Sequence, residues 1–197
     1  MCECLESFTG PTRAWFERSF GEPTEAQRLA WPAIHHGENV LVIAPTGSGK
    51  TLSAFLAAID GIIARKARVG GAKEGRKRPR KGVRVLYISP LKALGVDVAK
   101  NLETPLNGIR EEYARMGLAV PEVSIAMRSG DSTPQERRAI VSRPPDILVT
   151  TPESLYLMLT SKARTVLDTV QTVILDEVHA VAGTKRGAHL ALSLERL

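Results

Sequence analysis

The sequence is poor in cysteine and has no long apolar run, and both scarcities limit what the protein can be. Its only cysteines are Cys2 and Cys4. They are too close together for an unstrained disulfide and too few for a metal cage. We interpret them as free thiols near a loose terminus in a reducing compartment. No stretch is long enough to cross a membrane, and the first residues do not form a signal peptide. We therefore expect a cytoplasmic protein with no membrane partner.

The positive charge of the chain is concentrated in one segment. The 197 residues carry a formal net charge of +6, and nine Lys or Arg with one acid lie between Arg65 and Lys81. The remainder of the chain is therefore about −2. This segment also contains three glycines and a proline, which favour a mobile connection. We predict a basic, flexible surface insertion over residues 65–82, with auxiliary contact to nucleic acid as the alternative.

Short apolar runs alternate with helix-like segments along most of the chain. The runs are residues 40–43, 83–88, 123–127, 147–150 and 173–175. Nearly continuous apolar strands between helices predict an α/β fold, with a mostly parallel sheet and helices on both faces. Right-handed crossovers place the loops that follow the strands along one edge, where open α/β sheets bind ligands.

A glycine-rich loop lies between the first apolar run and a helix-like segment. It comprises Ala44, Pro45, Thr46, Gly47, Ser48, Gly49, Lys50 and Thr51. Its two glycines let the backbone amides curl around phosphate oxygens, Lys50 can reach the β- and γ-phosphates, and Thr51 can bind Mg²⁺. Ala44 departs from the strict P-loop pattern, which begins with glycine. An ordinary strand–turn–helix connection is the alternative interpretation.

The last apolar run ends in Asp176 and Glu177, followed two residues later by His179. An Asp in this position can hold Mg²⁺ through water, and the next acid can polarise the water that attacks a γ-phosphate. Alone, such a pair is as easily a helix cap. Two further helices begin with Thr-Pro, at Thr133 and Thr151. We predict ordinary capping at both, with phosphate binding as the alternative.

Taken together, these motifs resemble the first RecA-like domain of superfamily-2 helicases of the DEAD/DEAH type. Residues 47–51 read Gly-Ser-Gly-Lys-Thr, and residues 176–179 read Asp-Glu-Val-His. Residues 89–94, 128–131, 150–155 and 187–197 are further similar to the large helicase-related (Lhr) group. The resemblance extends from about Phe20 to Leu197, and the basic segment lies outside its motifs.

The resemblance implies an ATP-dependent helicase or translocase, with ATP and Mg²⁺ as cofactors. Lys50, Asp176 and Glu177 are then catalytic, and Gln27 reads the adenine edge, although Thr24 and Gln27 also form a capping-box pattern. A single strand of nucleic acid, with DNA favoured over RNA, is expected to contact eight residues: Ser89, Pro90, Lys92, Arg128, Gly130, Asp131, Thr150 and Thr151. The resemblance to the Lhr group further implies a role in DNA repair.

Such helicases also need a second RecA-like domain, which supplies arginines to the γ-phosphate. We expect it to lie outside this chain, as if the chain were an N-terminal motor domain cut from a longer polypeptide. The isolated domain is then expected to be nearly inactive. Two other classes remain open: a nucleotide- or nucleic-acid-binding fragment without activity of its own, and a P-loop ATPase of another kind.

Overall fold

A computed structural model describes residues 3–45, 47–70 and 80–197. The helices are α1 Gly10–Phe20, α2 Glu25–His35, α3 Lys50–Gly70, α4 Lys92–Asn101, α5 Glu103–Arg115, α6 Pro134–Ser142, α7 Pro152–Leu159 and α8 Lys185–Glu195. The strands are β1 Val85–Ile88, β2 Ile125–Arg128, β3 Ile147–Thr150 and β4 Thr172–Leu175. Short 3₁₀ turns occupy Glu3–Leu5, Lys162–Val166 and Val178–Ala180. The chain forms two compact units, one of residues 1–76 and 102–122 and one of residues 77–101 and 123–197.

The first unit is helical and has an aromatic core. Phe16 and Trp31 are buried and meet edge to face, with ring centroids 5.1 Å apart. The indole of Trp31 donates to the carbonyl of Ser53 at 3.0 Å, which fixes α2 against α3. α2 begins directly after its cap Thr24, and it continues three residues past Pro32 before it ends.

The second unit contains a four-stranded parallel sheet in the order β2–β3–β1–β4. Leu86 on β1 is paired with Leu148 on β3, and both belong to the apolar core that α6, α7 and α8 help to form. The alternate residue Val149 lies against Gly95 of α4. Because successive strand residues point to opposite faces, helices cover both faces of this sheet. The predicted α/β fold is confirmed.

Two predicted boundaries are wrong. Residues 40–43 form no strand: Leu41 is 75% and Ile43 86% exposed, and the described sheet begins at β1. An apolar run supplies side chains for a strand, but a strand also needs a neighbour for its backbone hydrogen bonds. The second correction concerns the basic insertion, because α3 continues to Gly70 and makes residues 65–70 helical. Residues 71–79 of the predicted insertion lie outside the described residues.

The first residues are also more ordered than predicted. Cys4 is a free cysteine, but it is only 7% exposed and lies in the first 3₁₀ turn, not in a loose terminus. Cys2 lies outside the described residues. None of the helices in the described part of the chain has both the length and the apolar character that crossing a bilayer requires.

Candidate nucleotide and nucleic-acid site

The glycine-rich loop has the backbone conformation that its sequence predicts. Gly47 and Gly49 have φ angles of 83° and 80°, in the left-handed region that other residues rarely adopt. A β-carbon on Gly49 would lie 2.6 Å from Nε2 of Gln27. The backbone angle therefore favours glycine here, and a β-carbon would also displace the amide end of Gln27. Thr46 lies outside the described residues.

Lys50, the first residue of α3, is folded back over the loop that precedes it. Its Nζ donates to the carbonyls of Ala44 and Pro45, the latter at 2.8 Å. Ser48 Oγ donates to the same Pro45 carbonyl at 2.7 Å. The ammonium group thus lies inside the curve of the loop, and the side chain of Thr51 is exposed beside it.

The start of α2 is bound directly to this loop. Thr24 and Gln27 form a reciprocal capping box, in which Gln27 Oε1 accepts from the Thr24 amide at 3.0 Å. Thr24 Oγ1 also donates to the Ser48 carbonyl at 2.9 Å, and Gln27 Nε2 is 3.5 Å from the Gly49 carbonyl. The capping interpretation of Gln27 is confirmed. These contacts hold its amide at the glycine-rich loop.

In the second unit, Asp176 follows β4 and both of its carboxylate oxygens are held. The Tyr87 hydroxyl donates to Oδ2, and the Glu177 amide donates to Oδ1 at 3.0 Å. Burial and the hydrogen bond to Asp176 raise the pKa of Tyr87, so the phenol stays protonated and remains a donor. The Asp176 amide in turn donates to the Ile88 carbonyl at 3.0 Å.

Glu177 has the only positive φ among the described non-glycine residues, at 49°. A left-handed backbone at such a residue is strained, and strain of this kind is concentrated at functional sites. The carboxylate lies 3.3 Å from Nε2 of the exposed His179. His179 therefore neighbours Glu177 at the surface, and no group of His, Cys, Asp or Glu in the described residues forms a metal cage.

The residues predicted to contact nucleic acid follow the strands, and the parallel sheet brings them to its carboxyl edge. They differ in what their side chains can offer. Ser89, Thr150 and Thr151 are at most 3% exposed. Their hydroxyls make internal hydrogen bonds: Thr150 donates to the Arg128 carbonyl at 2.9 Å, and Thr151 caps α7 by accepting from Ser154. The side chain of Lys92 lies outside the described part of the chain.

Among the other predicted contacts, Gly130 and Asp131 are exposed, whereas Pro90 is buried. Arg128 is only 8% exposed. The capping predicted at Thr133 and Thr151 is confirmed, and Thr133 forms a full capping box with Glu136. The buried hydroxyls thus shape the loops, while the exposed surface is formed by loop backbone and by neighbouring side chains.

Two residues of this edge have no recognisable local sequence pattern. Tyr87 is a hydroxyl in an otherwise apolar strand, and Arg186 is one of many surface arginines. Yet Arg186 pairs with both carboxylate oxygens of Glu153 and donates to the Pro90 carbonyl at 2.8 Å. The hydrogen bond from Arg186 lowers the pKa of Glu153. Arg186 therefore links the starts of α7 and α8 to the loop after β1.

A glycine-rich loop with Gly-Lys-Thr at the start of a helix, and an Asp-Glu pair after a strand of a parallel sheet, are features of the P-loop nucleotide-binding domains of the α/β class. Residues 24–197 match the family described as DEAD/DEAH box helicase. The chain belongs to this family.

Comparison with known proteins also confirms the resemblance to the Lhr group. The chain is 58% identical over 193 residues to "Lhr helicase/probable uracil glycosylase" of Mycolicibacterium smegmatis, covering 98% of the chain and 12% of that protein. It is 50% identical over 196 residues to "ATP-dependent helicase Lhr-Core protein 2" of Thermococcus barophilus, covering 99% of the chain and 22% of that protein. The chain thus spans a fraction of the length of these relatives.

A solved structure agrees with the fold. The Lhr helicase of Mycobacterium smegmatis, bound to ssDNA and AMP-PNP, has a TM-score of 0.88 and 56% sequence identity, and the match covers 98% of this chain and 23% of that one.

Proposed function

We propose that this chain is the ATP-binding motor domain of an ATP-dependent helicase or translocase. In the full-length protein it couples ATP hydrolysis to movement on single-stranded nucleic acid, with DNA favoured. The observation that carries the proposal is the common sheet edge of the second unit. Asp176 and Glu177 follow β4, and the predicted strand contacts follow or end β1, β2 and β3 of the same parallel sheet. The shared sheet supports a direct connection between hydrolysis and strand binding.

The loop of the first unit suits a nucleotide triphosphate. Lys50 Nζ is held by two neutral carbonyls, and a phosphate oxygen offers it a charged and therefore stronger partner. Gln27, fixed by its capping box, has an amide that can both accept from and donate to the adenine edge. The AMP-PNP in the similar Lhr structure supports this use of the loop.

The candidate metal ligands fit Mg²⁺. Thr51 offers a hydroxyl and Asp176 a carboxylate, which are the oxygen donors that Mg²⁺ prefers. The described residues include no denser cluster of metal-binding side chains, and Mg²⁺ in nucleotide sites takes most of its ligands from water and phosphate. When bound, the ion neutralises charge that develops on the phosphates. Asp176 would hold it through water, and Glu177 would orient the attacking water.

A glutamine substitution tests the hydrolytic role. In the full-length protein, Glu177→Gln is expected to abolish strand-stimulated ATP hydrolysis while ATP binding is retained, since the amide cannot accept a proton. The matched control is Glu195→Gln, an exposed residue of α8, which should hydrolyse ATP at the wild-type rate. Unchanged turnover in Glu177→Gln would contradict the proposed role of Glu177 in hydrolysis.

A second measurement separates the proposed helicase from a P-loop ATPase of another kind. The full-length protein is expected to bind a single-stranded oligonucleotide and to hydrolyse ATP faster in its presence. Hydrolysis without strand binding would favour the other class of ATPase. The role in DNA repair and the cytoplasmic location stay predictions from the Lhr resemblance and from the composition of the chain.

A further inference from the structure

A cavity of about 490 Å³ opens at the surface of the second unit, between α6 and the turn that follows α7. Four cationic side chains line it: Arg128, Arg137, Arg138 and Lys162. Ser142 and Ser161 add two hydroxyls. We refer to this feature, defined by the four cations, as the arginine cavity.

Arg128 of the cavity has no acidic partner among the described residues. No carboxylate of the described residues lies within ion-pair distance of Arg128, although that side chain is 8% exposed. Its burial and the nearby charge of Arg137 lower the pKa of Arg128. A guanidinium with so little exposure, and with no carboxylate of the described residues beside it, would gain an ion pair from an anion in the cavity.

Arg137 gives an independent indication that the cavity binds an anion. Its Nε is buried and has no hydrogen-bond partner within the described part of the chain. Its Nη2 donates to the Gly130 carbonyl at 2.8 Å, which fixes the guanidinium against the loop after β2. One donor of this group is therefore used to hold the loop, and another is left unsatisfied in the interior.

We propose that the arginine cavity binds phosphate groups of the nucleic-acid strand. This inference rests on the proposed function and adds Arg137, Arg138 and Lys162 to the strand contacts. Guanidinium groups match phosphate oxygens with paired donors, and serine hydroxyls commonly add to such contacts. The bond from Arg137 to Gly130 joins the cavity to a loop already predicted to contact the strand. That continuity favours a strand phosphate over an acidic segment of protein.

Two exposed cations allow a test that spares the fold. In the full-length protein, the double substitution Arg138→Gln with Lys162→Gln is expected to weaken binding of a labelled single-stranded oligonucleotide by about tenfold at low salt. The slope of log affinity against log salt should decrease by about 0.7 for each phosphate that the variant no longer neutralises. The matched control is Arg164→Gln with Lys100→Gln, two exposed cations outside the cavity, which should leave affinity and slope close to wild type.

A substitution of Arg128 is expected to affect stability and oligonucleotide affinity in opposite directions. Arg128→Met removes a mostly buried charge that no carboxylate of the described residues pairs with, and it keeps much of the side-chain volume. We expect the thermal midpoint without oligonucleotide to be unchanged or raised, whereas oligonucleotide affinity should fall. Unchanged oligonucleotide affinity in Arg128→Met, whatever its thermal midpoint, would overturn the proposal.

The outcomes distinguish this proposal from the proposed function. If the wild type fails to bind the oligonucleotide, the proposed function itself is contradicted. If the wild type binds, and the cavity and control variants have the same salt slope, only the cavity assignment fails. Inorganic phosphate that replaces chloride at equal ionic strength is expected to compete with the oligonucleotide more strongly in the wild type than in the Arg138→Gln, Lys162→Gln variant, because both anions would use the same cations. Equal sensitivity of the two proteins to phosphate would show that the strand does not occupy the cavity and would overturn the assignment.

Discussion

The Tyr87 hydroxyl on β1 donates a hydrogen bond to Oδ2 of Asp176, which follows the neighbouring strand β4. The other oxygen of the same carboxylate accepts the backbone amide of Glu177. The orientation of Asp176 is thus set by one donor on the neighbouring strand and one in the backbone that follows β4. Tyr87 contacts no substrate atom in the proposed mechanism, so we describe it as a positioning residue for the carboxylate that would hold Mg²⁺.

Tyr87→Phe should remove this hydroxyl and keep the packing of the ring. We expect strand-stimulated ATP hydrolysis by the full-length protein to fall by about 10–100-fold, as is typical when a residue that orients a metal ligand is removed. Because the substitution is expected to weaken Mg²⁺ binding, the Mg²⁺ concentration for half-maximal activity should rise. A higher Mg²⁺ concentration should then restore part of the activity.

The control for that substitution is Tyr156→Phe. Tyr156 packs its ring on His189, with centroids 4.6 Å apart, and has no role in the proposed site. Its variant should match the wild type in rate and Mg²⁺ dependence. If Tyr87→Phe also matches the wild type in both, Tyr87 is merely a buried phenol of the strand.

The local parts of this site could be predicted from the sequence, and the distant pairs could not. Gly47, Gly49 and the cap at Thr133 follow from patterns a few residues long, because the backbone angles and hydrogen bonds they serve are local. Tyr87 and Asp176 are 89 residues apart, and only the pairing of β1 with β4 brings them together. The same limit explains residues 40–43, where an apolar run predicted a strand without regard to a partner strand.

Gln27 has two interpretations, and a pair of substitutions separates them. Gln27→Ala and Thr24→Ala each break the capping box, so each should lower the free energy of unfolding by about 1 kcal/mol. Only Gln27→Ala removes the amide proposed to read adenine. We therefore expect Gln27→Ala to lose preference for ATP over GTP in binding assays, while Thr24→Ala keeps it. Equal preference in both variants would leave capping as the sole role of Gln27.

Gly187 in the first turn of α8 is required by a close backbone approach. A β-carbon there would lie 2.2 Å from the Val181 carbonyl oxygen, and a backbone atom cannot move aside as a flexible side chain can. Gly187→Ala is expected to destabilise the protein by about 1–3 kcal/mol in urea unfolding. The matched control is Gly61→Ala within α3, where the β-carbon meets open space.

That control should have the opposite sign. Alanine is favoured over glycine inside a helix, so Gly61→Ala is expected to stabilise the protein by up to about 1 kcal/mol. A stabilising or neutral Gly187→Ala would show that the first turn of α8 can shift away from Val181 at little cost.

The ion pair between Glu153 and Arg186 should make stability depend on pH in the acid range. The hydrogen bond from Arg186 lowers the pKa of Glu153 below its ordinary value near 4.5 in the folded protein. The folded state therefore binds fewer protons than the unfolded state in this range. The stabilisation is fully present above that ordinary pKa and is lost as the pH falls through the lowered one.

Both partners are partly exposed, so the effect is expected to be small, below about 1 kcal/mol in the free energy of unfolding. Glu153→Gln should lower the thermal midpoint at pH 7. The difference between its midpoint and that of the wild type should become smaller as the pH approaches 3. Glu195→Gln, on the exposed face of α8, should show no such convergence. If the thermal midpoints of Glu153→Gln and the wild type instead differ by the same amount from pH 7 to pH 3, the charge of Glu153 contributes nothing to stability. The role of Glu153 would then be uncharged packing against Arg186.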